Sequence, residues 1–256
     1  MTKIVCELCG SNDIIKQDGY FVCQHCGTKY TVEEARKMIV EGVVEVTGTV
    51  KIDDSASVQN ILNAARRALD KGDWEEVEKS YKIIEQHVPT SIEAAFYSSY
   101  GKARLSLVNS DMENRRQAFS VLYKSIAALA DLYLVEDSED NQSIFENIHY
   151  DLFDMYNSGF SYSLTKKRYG LLSFTTSDTR NETHRLFTQT ALVLIATLEN
   201  IIKKDDQLLY RKMQCHQYKF LADRGYLSNS EKKTYSKKAG SSAIKIKKED
   251  PSFSLE

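Results

Sequence analysis

Two cysteine pairs dictate what residues 1–30 can become. Cys6-Glu7-Leu8-Cys9-Gly10 is followed, after thirteen intervening residues, by Cys23-Gln24-His25-Cys26-Gly27. Thiolates three positions apart can sit on one side of a tight turn whose amide N–H groups point at sulfur. A glycine directly after the second cysteine lets that turn close at positive φ. Two such turns supply a closed tetrahedral shell of four sulfurs at about 2.3 Å from a zinc ion. The segment between them fits the same plan. Ile14-Ile15-Lys16-Gln17 and Tyr20-Phe21-Val22 flank Asp18-Gly19, the signal for a two-residue hairpin turn. The spacing therefore predicts one structural Zn2+ held by Cys6, Cys9, Cys23 and Cys26, with His25 exposed between two ligands. Four cysteines leave no open position for water, so hydrolytic zinc chemistry is not expected.

Residues 4–30 resemble a zinc ribbon, the small module of transcription factors, ribosomal proteins and RNA polymerase subunits. Iron of the rubredoxin type uses the same paired knuckles; zinc is preferred because the chain has no other redox feature. Lys3, Lys16 and Lys29 balance Glu7, Asp13 and Asp18 over residues 1–30, and zinc with four thiolates adds a formal negative charge. Phosphate contacts need a basic surface, so a structural or protein-contacting ribbon is favoured over a nucleic-acid reader.

Beyond the ribbon the chain is poor in both helix breakers. It has two prolines in 256 residues, against a usual frequency of roughly 5%, and eleven glycines, also below the norm. A mainly α fold is expected. Thr31-Val32-Glu33-Glu34 is a capping box that opens a short helix to about Val40, with Gly42 as its stop. Val44, Val46, Val50 and Ile52 alternate around Thr47-Gly48 and predict a small β-hairpin or extended linker. The expected organisation is a zinc ribbon with short helix over 1–41, a hairpin or linker over 42–56, an all-helical domain over 57–248, and a tail over 249–256. Helix-start signals of the form S/T/D-x-x-E recur at Asp73, Thr90, Ser110, Ser143, Thr179 and Ser228. Phe119, Leu122, Ile126, Leu129 and Tyr133 follow helical steps, as do Phe187, Ala191, Leu194, Leu198 and Ile201. Leu192, Val193 and Ile195 lie on other faces of the second run, which makes it the expected most buried helix. Further helices are predicted near 144–158 and 205–224.

The stretch 58–91 resembles one tetratricopeptide repeat. Ile61, Ala64, Ala65 and Ala68 fall at packing positions of its first helix. Gly72-Asp73-Trp74 falls at the turn, Val77, Tyr81 and Ile84 lie on the second helix, and Pro89 marks the end. Small residues such as Ala65 let paired helices approach closely. Two departures stand out: tryptophan is at the turn, and Val77 replaces the usual alanine. The next copy starts with Ile92, Phe96 and Tyr100 and fails after Asn109. In such a pair the first helix lines a concave groove. The resemblance places Gln59, Leu62, Asn63, Arg66 and Asp70 there, followed by Tyr97, Tyr100 and Arg104. Two arginines and two tyrosines would suit an acidic or carboxylate-ended peptide, provided that the tyrosines are exposed beside Arg66; the alternative is that Tyr97 and Tyr100 are buried under the later helices, which would close the groove. Residues 4–105 as a whole resemble a group of zinc-ribbon proteins from bacteria and their phages, a likeness that implies zinc binding and no reaction.

Catalytic constellations are sparse. Glu146 and His149 form a single E-x-x-H, read as a surface carboxylate and a half-buried histidine. Asp151 and Asp154 sit beside Leu152 and Phe153 at ordinary amphipathic spacing. Cys215 and His216 are adjacent on a helix and point about 100° apart, which leaves Cys215 as a small core residue. No phosphate-binding or dinucleotide glycine motif is present. The longest run without a polar residue, Ala191 to Ala196, is short of the ~18 needed to cross a bilayer, and residues 1–20 lack a secretory signal. A cytoplasmic location without membrane contact is expected. Residues 203–256 carry thirteen Lys/Arg against seven Asp/Glu, yet Lys232, Lys233, Lys237, Lys238, Lys245, Lys247 and Lys248 spread around the helix axis instead of forming one stripe. These features favour a non-enzymatic adaptor that binds another protein or peptide. The alternative is a nucleic-acid- or transcription-associated protein using the basic C-terminal helices.

Overall fold

The computed structural model describes residues 14–17, 20–31, 55–108, 111–165 and 176–255. The chain divides into two units, Met1–Asp53 and Asp54–Glu256. Cys6, Cys9, the short helix expected after Thr31 and the hairpin expected over 43–52 lie outside the described residues.

In the first unit, the β-branched and aromatic residues either side of Asp18-Gly19 form strands β1 (Ile14–Gln17) and β2 (Tyr20–Cys23). They pair antiparallel with Gln17 opposite Tyr20 and Ile14 opposite Cys23, the register that a two-residue turn imposes. A third strand, β3 (Lys29–Tyr30), pairs antiparallel with β2 to give the order β1-β2-β3. Cys23 and Tyr30 are buried against Ile14 and Phe21.

The second unit holds eight α-helices among the described residues: α1 (Ser55–Lys71), α2 (Trp74–His87), α3 (Ile92–Val108), α4 (Met112–Leu132), α5 (Ser138–Thr165), α6 (Thr176–Lys204), α7 (Leu208–Arg224) and α8 (Asn229–Glu249). The two prolines stand just past the ends of α2 and α8, where they cannot continue a helix. Start signals work where the residue sits at a real helix end. Asp73 accepts from Glu76 N–H at 3.3 Å, and Ser228 forms a complete capping box with Glu231. Two signals are displaced by one residue: Ser91, not Thr90, accepts from Ala94 N–H, and Asp111, not Ser110, caps α4. Two others are overturned. Ser143 lies inside α5 and Thr179 inside α6, because a three-residue step also joins neighbours on a continuous helix. The helix expected over 144–158 is correspondingly longer at both ends.

Successive helices pack as neighbours: α1 on α2, α2 on α3, α3 on α4, α6 on α7 and α7 on α8. The exception is α5. Helix α4 packs on α6, and α5 lies against α3, α6 and α7. The two sequence runs that step by three and four are buried as expected, Phe119 to Leu129 on α4 with Tyr133 just past its end, and Phe187 to Ile201 on α6. Burying each such large apolar side chain contributes about 1.5–3 kcal/mol. The most buried helix, however, is α3 and not α6. Twelve of its seventeen residues are buried, because Ala94, Ala95, Ser99, Gly101 and Ala103 admit neighbours on every side. At Gly101 a Cβ would lie 2.8 Å from Glu78 N and 2.9 Å from Trp74 O, so α2 and α3 meet at backbone contact. Buried Arg115 fastens the far end of α3, donating to Ser106 O, Leu107 O and Thr183 Oγ1, and so satisfies carbonyls that a helix end leaves open.

Arg180–Lys204 is long and apolar enough to cross a membrane by length and composition, and 56% of its most apolar window is buried inside the protein. Helix α8 buries only Ala239, Ala243 and Ile246, and its lysines occupy the remaining surface. Residues 250–255 fold back instead of trailing: Phe253 is buried with Cys215, Ala243 and Ile246.

Candidate functional site

The Cys23-to-Gly27 turn has the shape that the spacing predicts. Gly27 N–H donates to Cys23 O and Cys23 N–H to Thr28 O, both at 2.9 Å. Gly27 closes the turn at φ 74°, in the left-handed region that side chains with a Cβ resist. Cys23 is buried, Cys26 is exposed with Sγ 3.1 Å from Thr28 Oγ1, and His25 is exposed. This turn carries the second half of the ligand set expected from the spacing. Among the described residues no three His, Cys, Asp or Glu side chains gather around a common point; the other half, Cys6 and Cys9, lies outside them.

The residues assigned to a groove are brought together, but not as an open one. Arg66 is half exposed and grips Glu93 with two charge-assisted hydrogen bonds of 2.8 and 2.6 Å, while Asn63 and Gln59 are exposed on the same helix and bond one another. Tyr97 and Tyr100 are 2% and 0% exposed. Helix α5 covers them: Tyr97 donates to the Asp151 carboxylate, and Tyr100 donates to Asp151 O at 2.8 Å. The exposure that the groove reading requires is therefore absent, that reading is overturned, and the alternative of burial under the later helices holds. They are core aromatics, Tyr97 stacked on Tyr81 and Tyr100 on Phe96, and Arg104 lies 4.1 Å over the Trp74 ring while pairing with Asp154 at 2.6 Å.

What remains beside them is a cleft of about 820 Å³ between the α1–α2 turn, α3 and α5. Its walls include Arg66, Asp70, Trp74, Tyr150, Asp151 and Asp154. Tyr81 also donates to Glu93, at 2.7 Å, so the floor is a fixed polar network. Burial raises the Asp151 carboxyl above its ordinary range; the Tyr97 hydroxyl and Arg104 work against this, and Asp154 and Asp70 add to it. Burial and the neighbouring Asp151 push the Tyr97 hydroxyl well above the usual phenol range. Four carboxylates, Asp70, Glu93, Asp151 and Asp154, line the cleft against Arg66 and Lys71; Arg66 is engaged by Glu93, and Arg104 behind the wall by Asp154.

A second polar cluster escaped the sequence altogether. His149 Nε2 and His216 Nδ1 are 3.0 Å apart, with the rings stacked at 5.1 Å between α5 and α7. Phe253 stacks on His216 from the other side. Cys215 is turned away, its Sγ on Ala239 O, and burial raises its thiol to about 11, consistent with a core residue. Burial, then the nearby His216, lowers His149 to about 3. Burial also lowers His216, with Lys212 adding to the effect and the Ser254 backbone opposing it. Both groups are thus neutral when folded and take protons more readily when unfolded. Their stabilisation is complete above the ordinary histidine pKa and is lost as pH falls below it. Stability should drop by about 1–2 kcal/mol between roughly pH 6.5 and pH 5. His149→Phe should flatten that dependence in urea melts at the two pH values; an unchanged slope would remove the pair as its cause.

No family model matches the chain, and neither curated proteins nor solved structures give a match.

Proposed function

We propose that this chain is a non-enzymatic adaptor: a zinc-ribbon unit with one structural Zn2+ on Cys6, Cys9, Cys23 and Cys26, joined to a tetratricopeptide-like helical unit that holds another protein. The α1–α2 pair supports the second part. Its turn falls at Gly72-Asp73, Ala65 and Ala68 are buried on its first helix, and Val77, Tyr81 and Ile84 are buried on its second. Closed four-thiolate zinc stabilises a fold and leaves no site for hydrolysis.

The observation that carries the partner reading is the cleft beside α3. It has the size of a small-ligand or side-chain site, a rigid floor, and Tyr150 standing 66% exposed at its rim. Its charge favours a partner segment bearing lysine or arginine, the reverse of the acidic peptide that Arg66 and Arg104 would suggest if unengaged. Asp70, Tyr150 and Asp154 are exposed; Asp154 already pairs with Arg104, which leaves Asp70 and Tyr150 as the accessible contributors without that tie. The nucleic-acid alternative has weaker support, because the α8 lysines surround that helix.

The test is affinity capture with the full chain and with an Asp70→Lys/Tyr150→Ala variant, followed by titration of the purified partner. Affinity should fall by roughly 10-fold or more, as for loss of an aromatic anchor and a reversed charge. Equal affinity for both proteins would dismiss the cleft as the docking site.

A further inference from the structure

A different cleft, of about 930 Å³, opens where the start of α6 faces the α7–α8 turn. Arg180 and His184 lie one helical turn apart on α6, and Lys232 reaches in from the first turns of α8. The carboxylates in the same wall are committed elsewhere. Glu231 Oε2 accepts from Ser228 N–H at 2.9 Å and from Ser228 Oγ at 2.6 Å, completing its helix cap. Asp223 pairs with Lys219 at 3.0 Å. Neither Arg180 nor Lys232 takes part in an ion pair among the described residues. Arg180 and Lys232 thus flank an imidazole in a concave, partly desolvated place, with Arg224 at its edge on Asn157 Oδ1; three cations line the cleft against Glu231 and the Asp223 already paired with Lys219.

We propose that this cleft binds a small phosphate-bearing molecule of nucleotide size, its phosphate held between Arg180 and Lys232 and within reach of His184. Guanidinium matches phosphate through two parallel N–H···O bonds, and ammonium adds a point charge. The rest of the ligand lies along Tyr226, whose ring is already braced by Arg185 at 4.7 Å. The cleft volume is within the range of pre-formed small-molecule sites. His184 is consistent with this field. Burial lowers its proton affinity first, and Arg180 and Lys232 lower it further, so an arriving dianion would reverse the electrostatic part of the effect.

The experiment titrates the full chain with inorganic pyrophosphate, AMP, adenosine and a single-stranded oligonucleotide, following heat and the His184 imidazole resonance. Pyrophosphate and AMP should saturate, adenosine should not, and the His184 titration midpoint should rise in the complex. Arg180→Gln/Lys232→Gln should weaken AMP by roughly 30-fold, the scale of losing charge-assisted hydrogen bonds, while Arg180→Lys, which keeps the charge and loses the paired N–H···O geometry, should fall between the parent and the double variant. Thermal melts check that both variants are folded. The proposal is overturned if neither phosphate probe binds at up to about 10 mM, a concentration that still detects a Kd worth roughly −3 kcal/mol. It is equally overturned if the double variant binds as well as the parent, or if only the oligonucleotide binds, which would make the site a nucleic-acid surface.

Discussion

Cys23→Ser should strip the metal and unfold the first unit while leaving the second standing. Structural zinc supplies on the order of 10 kcal/mol to the folding of a small module, far more than the few buried side chains of the three-stranded sheet can replace. Cys23 is also the buried cysteine of its pair, so the serine hydroxyl would stand among Ile14, Phe21 and Tyr30. Elemental analysis of the parent should give one zinc per chain, and the variant none. In a melt followed by circular dichroism, the helical transition of residues 54–256 should keep its midpoint. A parent with no stoichiometric metal, or with iron, would overturn the zinc assignment; loss of the helical transition would show that the two units do not fold separately.

The second large effect lies at the α2–α3 crossing. Gly101→Val should destabilise the helical unit by about 3 kcal/mol or more, because the first atom it adds meets backbone and not a mobile side chain. For a unit of this size the melting temperature should fall by roughly 6–12 °C. Gly101→Ala should fall between the parent and the valine variant. At Gly240, by contrast, no atom lies within 4 Å of an added Cβ, and alanine there should be neutral or slightly stabilising through helix propensity. Equal melts for the two alanine variants would mean that α2 and α3 can separate at little cost.

The parts legible in the sequence are those governed by local geometry. The β1–β2 register, with Gln17 opposite Tyr20, is the one that the Asp18-Gly19 signal predicts, and Gly27 closes the cysteine turn. Ser228 with Glu231 starts α8, and the stepping of Phe119 or Phe187 marks the buried faces of α4 and α6. Each depends on residues within a few positions of one another. Ser143 and Thr179 misled because an S/T-x-x-E pair has the same spacing at a helix start and on the outside of a helix already under way. Tyr97 and Tyr100 misled for a different reason. Their alternatives, groove or core, are decided by α5, and Asp151 lies 54 positions from Tyr97. The partnership of His149 with His216 spans 67 positions and leaves no periodicity, spacing or composition to read.

The placement of α5 also sets an order of events in folding. Helices α1 to α4 meet their neighbours through short connections, whose closure costs little entropy. Helix α5 gains its contacts from α3, on one side of it in the chain, and from α6 and α7 on the other. Its contacts with α3 and α7 span 50 to 67 positions of chain and are rewarded late. Helix α5 should therefore dock after α3 and α7 are in place and undock before they come apart. Its backbone amides should exchange with solvent through a partial opening, at a lower free energy than the amides of α3. The segment that fills the array is thus the last piece to arrive and the first to leave.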